Sequence, residues 1–229
     1  MSFGLTVRVA DGPFGAYIAR PATLPAPVVI VVQEIFGVTE GIRQIADGLA
    51  EAGYVAVAPD LFWRFAPGIM LSEHSEDDWQ TALGYYQRLD LDLAVADLAA
   101  VAEVARGLPE GTGRVGIMGF CLGGLLAFLA ADHVDAAVDY YGSRTDEFVE
   151  RAVGGQTPLL LHLAGNDEFM DSAARARIVT ALKGVAEVEI HQYPGRSHAF
   201  ARPRGDHFHA EDAALAERRT HAFLAKHLR

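Results

Sequence analysis

The chain has 229 residues, 51% of them hydrophobic, which is enough to bury one continuous core, and 30 acidic against 19 basic side chains give a formal charge of −11. With no block of Lys or Arg in that balance, the electrostatic footprint of nucleic-acid or anionic-membrane binding is missing, and an anionic substrate would need locally placed arginines. A single Cys excludes an intramolecular disulfide and a cysteine-rich zinc site.

In chain order, LTVRVADGPFGAYIARPA alternates as an antiparallel hairpin does. APVVIVVQEIFG is a β-branched run ended by Gly37, as expected of a strand buried on both faces, and it finishes on the polar pair Gln33 and Glu34. TEGIRQIADGLAEAG has helical spacing closed by Gly53, and YVAVAPDLF is a second buried strand. Residues 63–75 read as a loop or excursion, and the stretch from Asp77 to Leu108 reads as one long helix or two.

RVGIMGF is the next strand, CLGGLLAFLAADH a helix, VDAAVDYYG a strand, and residues 144–153 look helical. TPLLLHLAGND, SAARARIVTALKG, VEIHQYPG and EDAALAERRTHAFLAKHL then alternate strand, helix, strand, helix. The expectation is an α/β fold in one domain spanning 1–229, its mostly parallel sheet covered by helices on both faces. Functional residues of such sheets sit in loops at the carboxyl ends of strands. The opening MSFGLTVRVADG lacks a basic segment followed by an apolar one, and the longest apolar stretch, around residues 125–131, is far short of a membrane span. With a free thiol, these features lead to an expected cytoplasmic location and no membrane partner.

Cys121 stands between a strand and a helix in Gly119-x-Cys121-x-Gly123, the spacing of a nucleophile elbow with Cys in the usual serine position. Small residues two positions to either side let strand and helix approach closely enough to project the side chain. The positive end of a helix favours a thiolate and offers N–H groups to a developing oxyanion. An isolated Cys is more often a buried filler; the glycine-flanked turn reverses that reading here.

A nucleophile of this kind needs a base and an orienting acid, in the chain order nucleophile, acid, His. Asp167 follows a buried strand in LLLHLAGNDEFM, and His198 lies in the loop after the next strand, in HQYPGRSHAFARPR. Asp171 competes with Asp167 but falls near the start of the following helix, where carboxylates commonly cap. Of the nine histidines, His162 and His191 lie inside strands and read as packed or hydrogen-bonded; the remaining six, His207 and His209 among them, have no evident partner. HFHAED is a weak metal signal, and no metal is expected.

The motifs VVQEIFG, YVAVAPDLF, GFCLGG, AVDYYG, AGNDEF and PGRSHAFAR, in this order, resemble the dienelactone hydrolase (carboxymethylenebutenolidase) family of α/β-hydrolases along nearly the whole chain. The resemblance implies the triad Cys121, His198 and Asp167, with no metal or cofactor. It implies that Glu34 holds the resting thiol and swings away as the thiolate forms, and that Ile35 and Leu122 supply backbone N–H groups to the oxyanion. The substrate-binding positions it implies are Phe36, Arg202, and two sites on the excursion where the family has Arg and Tyr but an ungapped alignment places Trp79 and Leu83. The family's Ser after the His is Ala199. The expected function is hydrolysis of lactones or small carboxylic esters through a cysteine acyl-enzyme, in a more apolar site than the family's type; the alternative is a non-catalytic binding or thiol redox-sensing protein. The only partner expected is a small-molecule ester or lactone, with a monomer favoured.

Overall fold

The computed structural model describes residues 4–153 and 155–229. It divides into two compact units at Gly116 and Ile117. In the first, β1 (Leu5–Val9) and β2 (Gly12–Ala19) form the expected antiparallel hairpin, and β2 pairs antiparallel with β4 (Val55–Pro59). β3 (Ala26–Val32) pairs parallel with β4. Every residue of β3 and β4 is buried, which is why both read as unbroken apolar runs rather than alternating ones.

Three helices accompany these strands: α1 (Glu40–Glu51), α2 (Glu76–Arg88) and α3 (Leu91–Arg106). The stretch that allowed one helix or two holds two. Leu89 is extended, and Asp90 caps α3 by accepting from Asp92 N (2.9 Å) and Leu93 N (3.0 Å). A side chain that satisfies two otherwise orphaned N–H groups starts a new helix rather than continuing an old one.

The second unit carries the remaining parallel strands, β6 (Ala136–Tyr140), β7 (Leu159–Ala164) and β8 (Val188–Tyr193), with helices α4 (Leu122–Leu129), α5 (Ser172–Ala181) and α6 (Ala210–Leu228). β5 (Gly111–Phe120) runs through the division, and the sheet order is β1-β2-β4-β3-β5-β6-β7-β8, mixed, with helices on both sides. All eight residues of α4 are buried, as its uniformly apolar sequence requires. Residues 144–153, expected to be helical, form single 3-10 turns at Thr145–Glu147 and Val149–Arg151 instead. Arg144 is left-handed (φ 69°), which stops an α-helix from starting there.

α6 is fixed to the strands by a buried polar network. His162 Nδ1 lies 2.8 Å from Tyr193 Oη and its Nε2 3.0 Å from Thr220 Oγ1, which is also 2.7 Å from Tyr140 Oη. Arg219 can only donate, and it donates to Tyr193 Oη (3.1 Å), so the network continues to the edge of the strand layer. Burial, with the charges of His191 and Arg219, holds the His162 pKa well below its ordinary value.

A histidine kept neutral in the fold costs stability in acid, because the unfolded chain takes up a proton at about pH 6.5 that the folded one refuses. The stability is complete above that pH and falls below it. His162→Phe takes one hydrogen-bond partner from each of two buried hydroxyls, those of Tyr193 and Thr220, and is expected to cost about 1–3 kcal/mol at pH 7. It should also shrink the loss of stability between pH 7 and pH 5. Urea unfolding of both proteins at the two pH values checks this; an unchanged pH difference contradicts it.

Candidate active site

The last residues of β5 are buried, and the chain reverses at Cys121 into α4 with φ 55° and ψ −119°, a conformation that non-glycine residues rarely adopt. Three hydrogen bonds hold the turn: Cys121 N donates to Tyr140 O (3.0 Å), and the Cys121 carbonyl accepts from Gly124 N (3.0 Å) and Leu125 N (3.2 Å). Gly119 permits it, because a Cβ there would stand 1.9 Å from Gly123 O. The thiol is partly exposed, and Leu122 occupies the first position of α4, where an N–H has no acceptor within the helix.

β7 delivers Asp167 and β8 delivers His198, as the chain order led one to expect. His198 Nδ1 lies 2.9 and 3.0 Å from the two Asp167 carboxylate oxygens, with both side chains almost wholly buried. Asp167 Oδ1 also accepts from Phe169 N (2.8 Å). The rings of Phe169 and Tyr141 stand edge-on to the imidazole at 4.8 and 5.1 Å between centroids. Asp171, the rival acid, is the N-cap of α5 and accepts from Ala174 N (2.7 Å).

Burial opposes charging His198, but it is outweighed by the charge and hydrogen bonding of Cys121 and of Asp167, which push the imidazole up to about 10. Nε2 itself is buried without a hydrogen bond of good geometry. The arrangement sets an imidazole next to a partly exposed thiol, with a carboxylate behind the ring.

Several supporting residues went unnoticed in the sequence. Glu168 accepts from His198 N (3.1 Å), and His207 Nδ1 donates to His198 O (3.0 Å) while lying 3.4 Å from Glu168. The two thus grip the backbone of His198 from both sides. Glu168 adjoins Asp167, so adjacency was the available signal; His207 reads in the sequence as a histidine with no evident partner and as half of a weak metal signal. His209, the other half, caps α6 by accepting from Asp212 N (3.4 Å). Ala199 has φ 59°, and Arg202 N closes the turn onto its carbonyl (2.9 Å).

The remaining expected positions lie in the first unit. Glu34, Ile35 and Phe36 are buried in the loop after β3. Trp79 and Leu83 are half-buried on α2; the Trp79 ring stands edge-on to Phe36 (5.0 Å), and its only N–H donates to Glu73 O (2.7 Å).

A family model for the dienelactone hydrolase family matches residues 14–228. The chain belongs to the dienelactone hydrolase family. It is 38% identical over 225 residues to the carboxymethylenebutenolidase of Pseudomonas putida, covering 97% of this chain and 95% of that protein. It is 41% identical over 222 residues to a proposed carboxymethylenebutenolidase of Azospirillum brasilense, at 95% of each. Among solved structures, a proposed dienelactone hydrolase of Klebsiella pneumoniae superposes with a TM-score of 0.85 at 31% identity, covering 96% of each chain. The hydrolase fold of this family accounts for the sheet order and for the position of the Cys121 turn between strand and helix.

The turn makes a matched pair of substitutions informative. Gly119→Ala drives a methyl group into the backbone of α4 and is expected to cost several kcal/mol or to prevent folding. Gly48→Ala, inside α1 with nothing within 4 Å of the new methyl, should stabilise by roughly 0.5–1 kcal/mol. Denaturant unfolding distinguishes them; a Gly119→Ala protein within 1 kcal/mol of wild type would show that the close approach is not needed.

Proposed function

We propose that this dienelactone hydrolase family member cleaves lactones or small carboxylic esters through an acyl-enzyme on Cys121. The observation that carries the reading is the buried His198, held on both oxygens of Asp167, in the unit that also presents Cys121 on its strand-to-helix turn. In acylation the thiolate attacks the carbonyl carbon, the C–O bond to the leaving group breaks, and the His198 imidazolium gives its proton to the departing oxygen. In deacylation neutral His198 takes a proton from water, the resulting hydroxide attacks the thioester, and the C–S bond breaks to return the thiolate. Asp167 orients the ring and stabilises it when charged. Leu122 N–H, and by family resemblance Ile35 N–H, would receive the oxyanion. Glu34 keeps the role the resemblance gives it, holding the resting thiol until substrate arrives.

The substrate is proposed to be neutral. Trp79 and Leu83 stand where the resemblance leads one to expect Arg and Tyr, and the single indole donor of Trp79 is already engaged by Glu73. A carboxylate would lose charge-assisted partners worth about 1.5–3 kcal/mol each, with Arg202 the cationic position that the resemblance retains. A protein that only senses oxidants needs no buried acid behind its histidine, so the non-catalytic alternative has no observation in its favour.

One experiment tests both halves: kcat/KM for a carboxylate-bearing lactone and for its methyl ester, with wild type and Cys121→Ala. The expected result is turnover that favours the methyl ester and falls by several powers of ten without the thiol. Turnover surviving in Cys121→Ala contradicts the mechanism, and a tenfold preference for the acid contradicts the reading of Trp79 and Leu83.

A further inference from the structure

Beside the thiol lies a hydroxyl that the triad does not use: Ser143 Oγ is 3.6 Å from Cys121 Sγ. Ser143 sits in the loop after β6 between two non-glycine residues in the left-handed region, Tyr141 (φ 43°) and Arg144 (φ 69°). Backbone in that region persists only where its surroundings enforce it, and here they do. Asp139, at the end of β6 and almost wholly buried, accepts from Gly142 N (2.7 Å) on one oxygen and from Thr145 Oγ1 (2.8 Å) on the other. Tyr141 N donates to His162 O (2.8 Å). The same carboxylate packs against the first turn of α4, since a Cβ on Gly124 would stand 2.4 Å from its Oδ1. One buried group therefore joins the helix that begins at the nucleophile to the loop that carries Ser143.

A carboxylate is costly to bury, and this one is satisfied by loop donors rather than by a cation. The bland reading is that Asp139 only shapes a turn, but that reading does not account for a hydroxyl brought to the sulfur by a strained loop. We propose that Ser143 is a further catalytic residue, donating a hydrogen bond to the Cys121 thiolate, and that Asp139 is the positioning residue that keeps it there. The hydroxyl keeps its proton throughout. It stabilises negative charge on sulfur as the thiolate forms, and again when the thioester C–S bond breaks and the electron pair returns to sulfur.

The proposal rests on Cys121 as the nucleophile, so its test reads the sulfur directly rather than through an ester. The rate of iodoacetamide alkylation is followed from pH 5 to pH 10 for wild type, Ser143→Ala, Ser143→Thr, Asp139→Asn, Asp139→Ala and the Asp139→Ala/Ser143→Ala pair. His198 and Asp167 act on the sulfur in every variant, so differences among the Ser143 variants report the hydroxyl. Ser143→Ala is expected to slow alkylation about tenfold at pH 6.5 and to converge with wild type near pH 10, where the thiol ionises unaided. Ser143→Thr restores the wild-type profile.

Asp139→Asn removes charge but keeps groups able to bond Gly142 and Thr145, and it should stay close to wild type. Asp139→Ala should slow the reaction as Ser143→Ala does, with no further effect in the double variant. Should Asp139→Ala fail to fold, the two Ser143 variants decide the matter by themselves. Profiles of Ser143→Ala and wild type that overlay within twofold at every pH overturn the proposal, as does an Asp139→Ala effect of equal size with and without Ser143. Wild type that alkylates as expected yet hydrolyses no ester would overturn the hydrolase reading and leave this one standing.

Discussion

A side chain held in left-handed backbone between a strand and a helix is the constraint on which the rest of this site depends. Cys121 at φ 55° stores strain of about 1–3 kcal/mol, which the surrounding structure must offset. The backbone hydrogen bonds at the turn, the fully buried helix that follows it and the absence of a Cβ at Gly119 together do so. The result is a thiol presented from the helix end whose dipole favours negative charge.

Electrostatics completes what the turn begins. Asp167 and His198 come from loops after neighbouring parallel strands, so the register of β7 on β8 sets their separation to within a hydrogen bond. Burying the pair would be unfavourable if either were unpartnered. Here the carboxylate has the imidazole and the Phe169 N–H, while Glu168 and His207 hold the peptide groups of His198 itself. The candidate site is thus assembled from groups whose burial would otherwise destabilise the fold, each satisfied by a partner that also fixes its direction.

What the sequence disclosed follows from how local each signal is. The elbow was legible because strand, Gly119, Cys121, Gly123 and helix are contiguous, Asp167 because it follows a continuous apolar run, and His198 because it lies in the loop after the next strand, in the chain order nucleophile, acid, His. Ser143 and Asp139 were not, since the loop between them depends on Tyr141 and Arg144 adopting positive-φ conformations that are common only for glycine. His162 was correctly placed among the packed or bonded histidines, yet its partner Thr220 lies 58 residues away on α6, a pairing no local pattern encodes. The break between α2 and α3 is open in the sequence because Asp90 is compatible with a helix interior as well as with a cap; its side-chain bonds to Asp92 and Leu93 decide it.

The covalent intermediate is the most direct measure of the account. Wild type mixed with p-nitrophenyl acetate and quenched in acid within milliseconds should carry one acetyl group, which peptide mass mapping places on Cys121 and which disappears as water turns the enzyme over. An acetyl group on Ser143 or on any other side chain, with Cys121 unmodified while p-nitrophenol is released, would contradict it.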